Sequence, residues 1–219
     1  MCAMGVDCSG GGSDPMVIAP RYDGWYAPMI KIPGKDIPQD RPGKFSAGMI
    51  VSHRRNKAIV IVDMGGGYGG PTYEQLKENG IECQAFRGSE ASVRRTSDGQ
   101  IGFGNIITEA YWKFREALDP SQAGGCPIAL PPSPTLLADL ATPTFEYRGG
   151  EIWKEAKLDV VDRPGRSPDE GDAVVMAWMA GPTYVTDGQA WSNPNEHGGA
   201  GKRAFPSAIM GRSNARGRR

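Results

Sequence analysis

"AIVIVDMGGGYGG", residues 58–70, decides how this chain folds. Ala58 to Val62 is a continuous apolar run that closes on Asp63, and glycines follow. Such a run marks a central strand covered on both faces, because a half-exposed strand would alternate apolar with polar residues. A second run of the same kind opens the chain. "CAMGVDCSGGG" (2–12) reads as a short buried strand that ends at Asp7 and passes into a glycine turn.

The other elements arrange themselves around these two strands. "PMVIAP" (15–20) and "WYAPMIKI" (25–32) are further strands, with "RYDG" (21–24) as the hairpin turn between them. Connections this short make the first three strands antiparallel. "KFSAGMIVSHRRNK" (44–57) has helical spacing and a basic end at Arg54 and Arg55. After the central strand, "GGPTYEQLKENG" (69–80) is a helix stopped by Gly80, and "IECQAF" (81–86) is the next strand. Residues 88–104 are polar and read as a mobile loop.

"NIITEAYWKFREALDP" (105–120) is an amphipathic helix: Ile107, Tyr111, Phe114 and Leu118 share one side, and Asn105 suits its N-cap. "CPIAL" (126–130) reads as a short strand, "PSPTLLADLA" (132–141) as a helix, and "PTFEYRGGEIWKE" (143–155) as a hairpin turning at Gly149-Gly150. Alternating strands and helices after an antiparallel start predict an α/β fold. Its mixed sheet is antiparallel over the first three strands and parallel thereafter, with helices on both faces. Residues 1–185 form this domain. Residues 186–219 have no periodicity and, after Glu196, carry six basic residues and no acid. They are expected to be a flexible basic tail, of a composition that suits polyanions.

Composition narrows the class. With 39% hydrophobic and 23% charged residues, the chain suits a soluble globular protein. Its longest apolar stretch is far short of the ~20 residues a membrane span needs. The first residues lack the basic start and apolar core of a signal peptide. Four scattered cysteines without a CxxC pair argue against a zinc module or disulfide scaffold and fit a reducing cytosol, as small core residues. Formal net charge is zero, so only local charge can point to nucleic acid.

"SPDEGDAVVMAW" (167–178) places three acids before an apolar run. Ser167-Pro168-Asp169-Glu170 reads as a capping box: Ser167 caps, Pro168 takes the first helical position and Glu170 reaches back. Asp169 in the first turn suits the helix dipole. Asp172 remains unexplained. The residues that follow, Ala173 to Ala180, are apolar on every side, so the helix is buried, and a buried carboxylate needs a cation. Asp169 and Asp172, three apart, share one face.

Asp7 and Asp63 each have a plain reading as strand exits, where Asp is common. Together with Asp169 and Asp172 they make a coincidence: strand ends and a late helix are where distant side chains converge. Carboxylates packed together cannot all stay ionised unless a cation balances them. Hard ions such as Mg2+ or Mn2+ prefer oxygen ligands, and two of them ~3.5–4 Å apart would activate water and stabilise the leaving oxygen in phosphodiester cleavage. A nucleotide site is disfavoured. No GxxxxGK[ST] phosphate loop occurs, and "GVDCSGGG" lacks the GxGxxG fingerprint.

The order GVD with a Gly-rich turn, VIVDMGGGYGG, NIITEAYWKFREALDP, CPIALPP and EYRGGEIWKEAKLDVVDRPGRSPDEGDAVVMA resembles the C-terminal nuclease domain of bacteriophage terminase large subunits, over residues 3 to 181. The resemblance implies an RNase H-like fold and an Mg2+- or Mn2+-dependent endonuclease that cuts concatemeric phage DNA by two-metal hydrolysis. By position Asp7 and Asp63 match the acids of the first and central strands, and Asp169 or Asp172 that of the final helix. Asp14 is at best an auxiliary acid. The family commonly has Ala before the last Asp, where this chain has Gly171. Implied partners are double-stranded DNA, the terminase ATPase domain, the small terminase subunit and the portal protein, in the cytoplasm of the infected host cell. With no phosphate loop in this chain, the ATPase would lie elsewhere.

Among basic residues, Lys157 and Arg166 lie nearest the acidic helix in sequence, and Arg54 and Arg55 are further candidates for DNA phosphates. His53 and His197 read as surface residues. Two alternatives remain at this point. One is a docking or DNA-binding module whose nuclease activity stays low until assembly. The other is a resolvase-like junction nuclease.

Overall fold

The computed structural model describes residues 1–121, 125–162 and 165–181, without the side chains of Lys157, Leu158 and Asp162. The central strand β1 (Ala3–Asp7) pairs antiparallel with β2 (Met16–Tyr22), which in turn pairs antiparallel with β3 (Trp25–Tyr26) and β4 (Ile30–Ile32). On its other side β1 runs parallel to β5 (Ile59–Asp63), which runs parallel to β6 (Cys83–Phe86). The order is β3-β2-β1-β5-β6, with β4 also on β2. The mixed sheet expected from the sequence is present.

Strand side chains alternate between faces, and the core divides accordingly. Met4, Val6, Ile18, Val60 and Val62 pack on one face against Ala47 and Ile50 of α1 (Pro42–His53) and Leu76 of α2 (Gly69–Glu78). Ala3, Val17, Ala19, Ile59 and Ile61 pack on the other. There they meet α3 (Ile106–Leu118), α4 (Pro134–Ala141) and α6 (Asp169–Met179), while the short α5 (Lys157–Asp162) precedes α6. Among the described residues no helix is long and apolar enough to cross a membrane.

The last helix is buried from Glu170 to Ala177, as its apolar run requires. It lies directly on β1. A Cβ at Gly5 would stand 1.9 Å from the Ala173 carbonyl oxygen, so glycine sets that spacing. Arg21, on β2, is 2% exposed and holds the far end of the helix. Its guanidinium donates to the carbonyls of Ala177 at 2.7 Å, Trp178 at 3.2 Å and Gly181 at 2.9 Å. These carbonyls lie at or just beyond the helix C-terminus, where intrahelical partners run out.

Three local expectations are corrected. "WYAPMIKI" is two strands, not one: Pro28 lies in the gap, and both pieces pair with β2. "CPIAL" forms no strand; Ala129 makes only an isolated bridge to Trp25. Residues 88–104 are no featureless loop. They supply β7 (Gly102–Phe103), which joins β8 (Phe145–Arg148) and β9 (Glu151–Lys154) in a second sheet of order β7-β9-β8. The hairpin at Gly149-Gly150 forms as read, with both glycines at positive φ. Of the four free thiols Cys2 is buried, but Cys126 is exposed. The tail, 186–219, lies outside the described residues.

Candidate functional site

Strand parity brings the first two acids together. In the parallel β1–β5 pair Val6 stands opposite Val62, so the next residues, Asp7 and Asp63, leave the two strands side by side. Both occupy the alternating positions whose neighbours, Ala3 and Ile61, face α6. On α6, Asp169, Asp172 and Met176 fall at helical spacing along one stripe. The result is a cleft of about 1230 Å³ bordered by Asp7, Asp63, Asp169 and Asp172, with Asp14 also on its rim. Arg148, Trp153 and Lys154 of the second sheet form another wall.

The first turn of α6 is held by other means than a capping box. The helix begins at Asp169, Ser167 Oγ makes no hydrogen bond, and Glu170 turns away to Lys31 and to Ser133 Oγ at 2.9 Å. The cap comes from α4. Asp139 Oδ2 accepts from the backbone N–H groups of Glu170 at 3.1 Å and Gly171 at 3.2 Å, and Arg166 pairs with its other oxygen at 2.6 Å. A local Ser-x-x-Glu pattern thus loses to a buried carboxylate that satisfies two orphan donors at once. Burial pushes the Asp139 carboxyl above its ordinary range, against the pull of Arg166 and the Gly171 N–H.

Asp172, 8% exposed, accepts a 2.7 Å hydrogen bond from the buried Tyr111 hydroxyl. Burial, then the Asp172 charge, raises the Tyr111 hydroxyl well above its usual range, so it remains a donor. Gly65 donates its N–H to Asp63 Oδ1 at 3.0 Å. A Cβ at Gly65 would come within 3.1 Å of Asp63 Oδ2, so the glycine turn keeps space open beside this carboxylate. Burial pushes the Cys8 thiol beside Asp7 up to about 12. An all-carboxylate set with open space beside it fits a hard divalent cation. Among the described residues, no three carboxylate, imidazole or thiol side chains stand close enough to hold an ion in their present rotamers.

The basic candidates separate. Arg54 and Arg55 do not border the cleft: they precede β5, which carries the chain about 13 Å from Ile59 on to Asp63 at a strand's rise per residue. Arg54 donates to the carbonyls of Ala58 at 2.6 Å and Lys57 at 2.9 Å, closing a turn. Arg166 lies by the cleft but is committed to Asp139 and to the carbonyls of Thr135 and Ser167. Lys157 opens α5, and its side chain lies outside those described.

Sequence reasoning missed Asp139, Arg21 and the polar role of Tyr111, whereas Lys154, one of the basic residues it offered for DNA phosphates, does border the cleft. For Asp139 a signal existed: it is the lone acid in the apolar "PTLLADLA".

No protein-family model matches the chain, and no curated protein sequence does. Solved structures do match. The nuclease domain of the large terminase subunit of bacterial virus Sf6 aligns with a TM-score of 0.61 at 16% identity, over 84% of this chain and 91% of that one. This chain has the fold of terminase nuclease domains. A lysine-to-alanine variant of the Sf6 domain, with manganese and β-thujaplicinol, aligns at 0.62 and 16% identity over 83% of this chain and 88% of its own. A calcium-containing variant aligns at 0.57 and 16% identity, over 81% and 89%. The mixed sheet with helices on both faces that the sequence predicts is therefore shared with these nuclease domains, although identity is low.

Proposed function

We propose that this chain is the divalent-metal-dependent DNA endonuclease domain of a phage packaging terminase. The observation that carries the reading is the convergence of Asp7, Asp63, Asp169 and Asp172, from three separate elements, on one cleft. A terminase nuclease fold that has been solved with manganese supports it. Bound Mg2+ or Mn2+ would supply the Lewis acidity that phosphodiester hydrolysis needs at neutral pH. In this reading Asp7 and Asp63 hold the ions from the sheet, Asp169 and Asp172 complete the set from α6, and Asp14 assists from the rim. The buried wall under α6 excludes water on the sheet side. The second sheet brings Lys154 and Arg148 to the cleft, where cationic side chains suit a DNA phosphate. Double-stranded DNA is the substrate, and the ATPase domain, small subunit and portal are the assembly partners, in the host cell cytoplasm.

A second form of the reading is a docking or DNA-binding module whose cleavage stays low until DNA or the motor partners bind. The test is plasmid cleavage in MnCl2 by wild type, Asp7→Asn and Asp63→Asn, with circular dichroism to verify folding. Each variant is expected to fold and lose cutting. Cutting that survives in both overturns the site. Wild type that is silent alone yet active with its partners supports the gated form.

A further inference from the structure

Tyr111 does more than the apolar packing of α3 asks of it. Its ring is buried beside Phe114, where a phenylalanine would fill the same volume and need no partner. Instead the hydroxyl spans 61 residues of sequence to donate to Asp172 Oδ1 at 2.7 Å. Lys154 Nζ lies over the same ring, 4.7 Å from its centre.

The residue next to Asp172 makes this approach possible. A Cβ at Gly171 would lie 3.0 Å from the Tyr111 hydroxyl oxygen and 2.9 Å from the Asp139 Cβ. Gly171 sits inside a helix, with no positive φ to call for glycine. Glycine weakens a helix relative to alanine, so the missing side chain answers to the neighbours and not to the backbone.

We propose that Tyr111 is a positioning residue that sets the rotation of the Asp172 carboxylate for a divalent ion, and that Gly171 keeps the path for its hydroxyl open. The inference rests on the metal-dependent nuclease reading above. A carboxylate oriented by a hydrogen bond before the ion arrives loses less freedom on binding, and such outer partners typically set ion affinity by about 10–100-fold.

The experiment compares wild type, Tyr111→Phe, Gly171→Ala, the double variant and Asp63→Asn. Each full chain is titrated with MnCl2 by calorimetry, assayed for plasmid nicking across the same manganese series, and melted without metal. Tyr111→Phe is expected to melt within a few degrees of wild type and to need roughly tenfold more manganese for half-saturation and half-maximal nicking. Gly171→Ala should shift both in the same direction, and the double variant should be no worse than the poorer single, since both break one contact. If Gly171→Ala melts too low to titrate, Tyr111→Phe alone decides. Should wild type bind and nick, Asp63→Asn do neither, and Tyr111→Phe titrate like wild type, the inference is overturned while the nuclease reading stands. Single-variant shifts that multiply in the double variant also overturn it. Wild type that neither binds manganese nor nicks, alone or with its motor partners, sinks the reading itself, and the inference with it.

Discussion

Asp139 and Gly171 meet across the contact between α4 and α6: the carboxylate accepts the Gly171 N–H at 3.2 Å while also accepting that of Glu170. Truncation to Asp139→Ala removes the cap of the helix that carries two of the four acids. Stability should fall by about 2 kcal/mol, most of it the lost cap, because the partly exposed Arg166 can be rehydrated. Urea unfolding measures this, and a loss below about 0.5 kcal/mol would show that the cap is dispensable.

Asp139 also gives a pH signature. Its folded pKa is raised, chiefly by burial, so between the ordinary carboxylate value and the raised one the folded state binds more protons than the unfolded. Stability from this group therefore falls as pH rises through that window. Asp139→Asn keeps an acceptor for the helix but does not titrate. The stability difference, wild type minus Asp139→Asn, should decline from its acid value as pH rises from the ordinary carboxylate range through the folded pKa, and level off above it. A difference flat with pH, or one that grows, contradicts the assignment.

Arg21 closes the other end of α6 on the carbonyls of Ala177, Trp178 and Gly181. Replacement by methionine preserves bulk but strands these acceptors, for an expected loss of about 3 kcal/mol. Lysine should rescue little, since one ammonium cannot span the fork that the guanidinium provides. Thermal melts of the two variants, if equal to wild type, would remove Arg21 from the framework.

Gly5→Ala should be worse than any of these. The added Cβ would sit 1.9 Å from the Ala173 carbonyl oxygen, a backbone atom that cannot rotate away, so α6 must lift off the sheet. A loss above about 4 kcal/mol is expected, visible as a molten or insoluble protein. Cooperative unfolding near the wild-type midpoint would mean that α6 is not fixed to β1.

Arg54→Ala and Arg55→Ala should leave DNA binding and cleavage within twofold of wild type, since both residues lie at the end of β5 opposite Asp63. Filter binding and nicking assays on the same plasmid check this. A large loss of affinity would place DNA along the far edge of the sheet.

The sequence carried as far as local rules reach. An apolar run ending in Asp63, a second ending in Asp7 and an apolar helix headed by acids specified strands, their parity and a buried helix. Those patterns depend on each residue's immediate neighbours and on burial, which the chain writes into itself. The Asn105 cap and the Gly149-Gly150 turn were legible for the same reason, and Asn105 does accept from Thr108 N.

What folding alone decided were the partners of charged and polar groups. Arg21 finds carbonyls 156 to 160 residues away, Tyr111 finds Asp172 across 61, and Asp139 takes the Glu170 N–H from 31 residues upstream in place of a Ser167 cap. A polar group accepts any correctly placed partner, so its sequence context does not name one; only the stacking of α3, α4 and α6 on the sheet does.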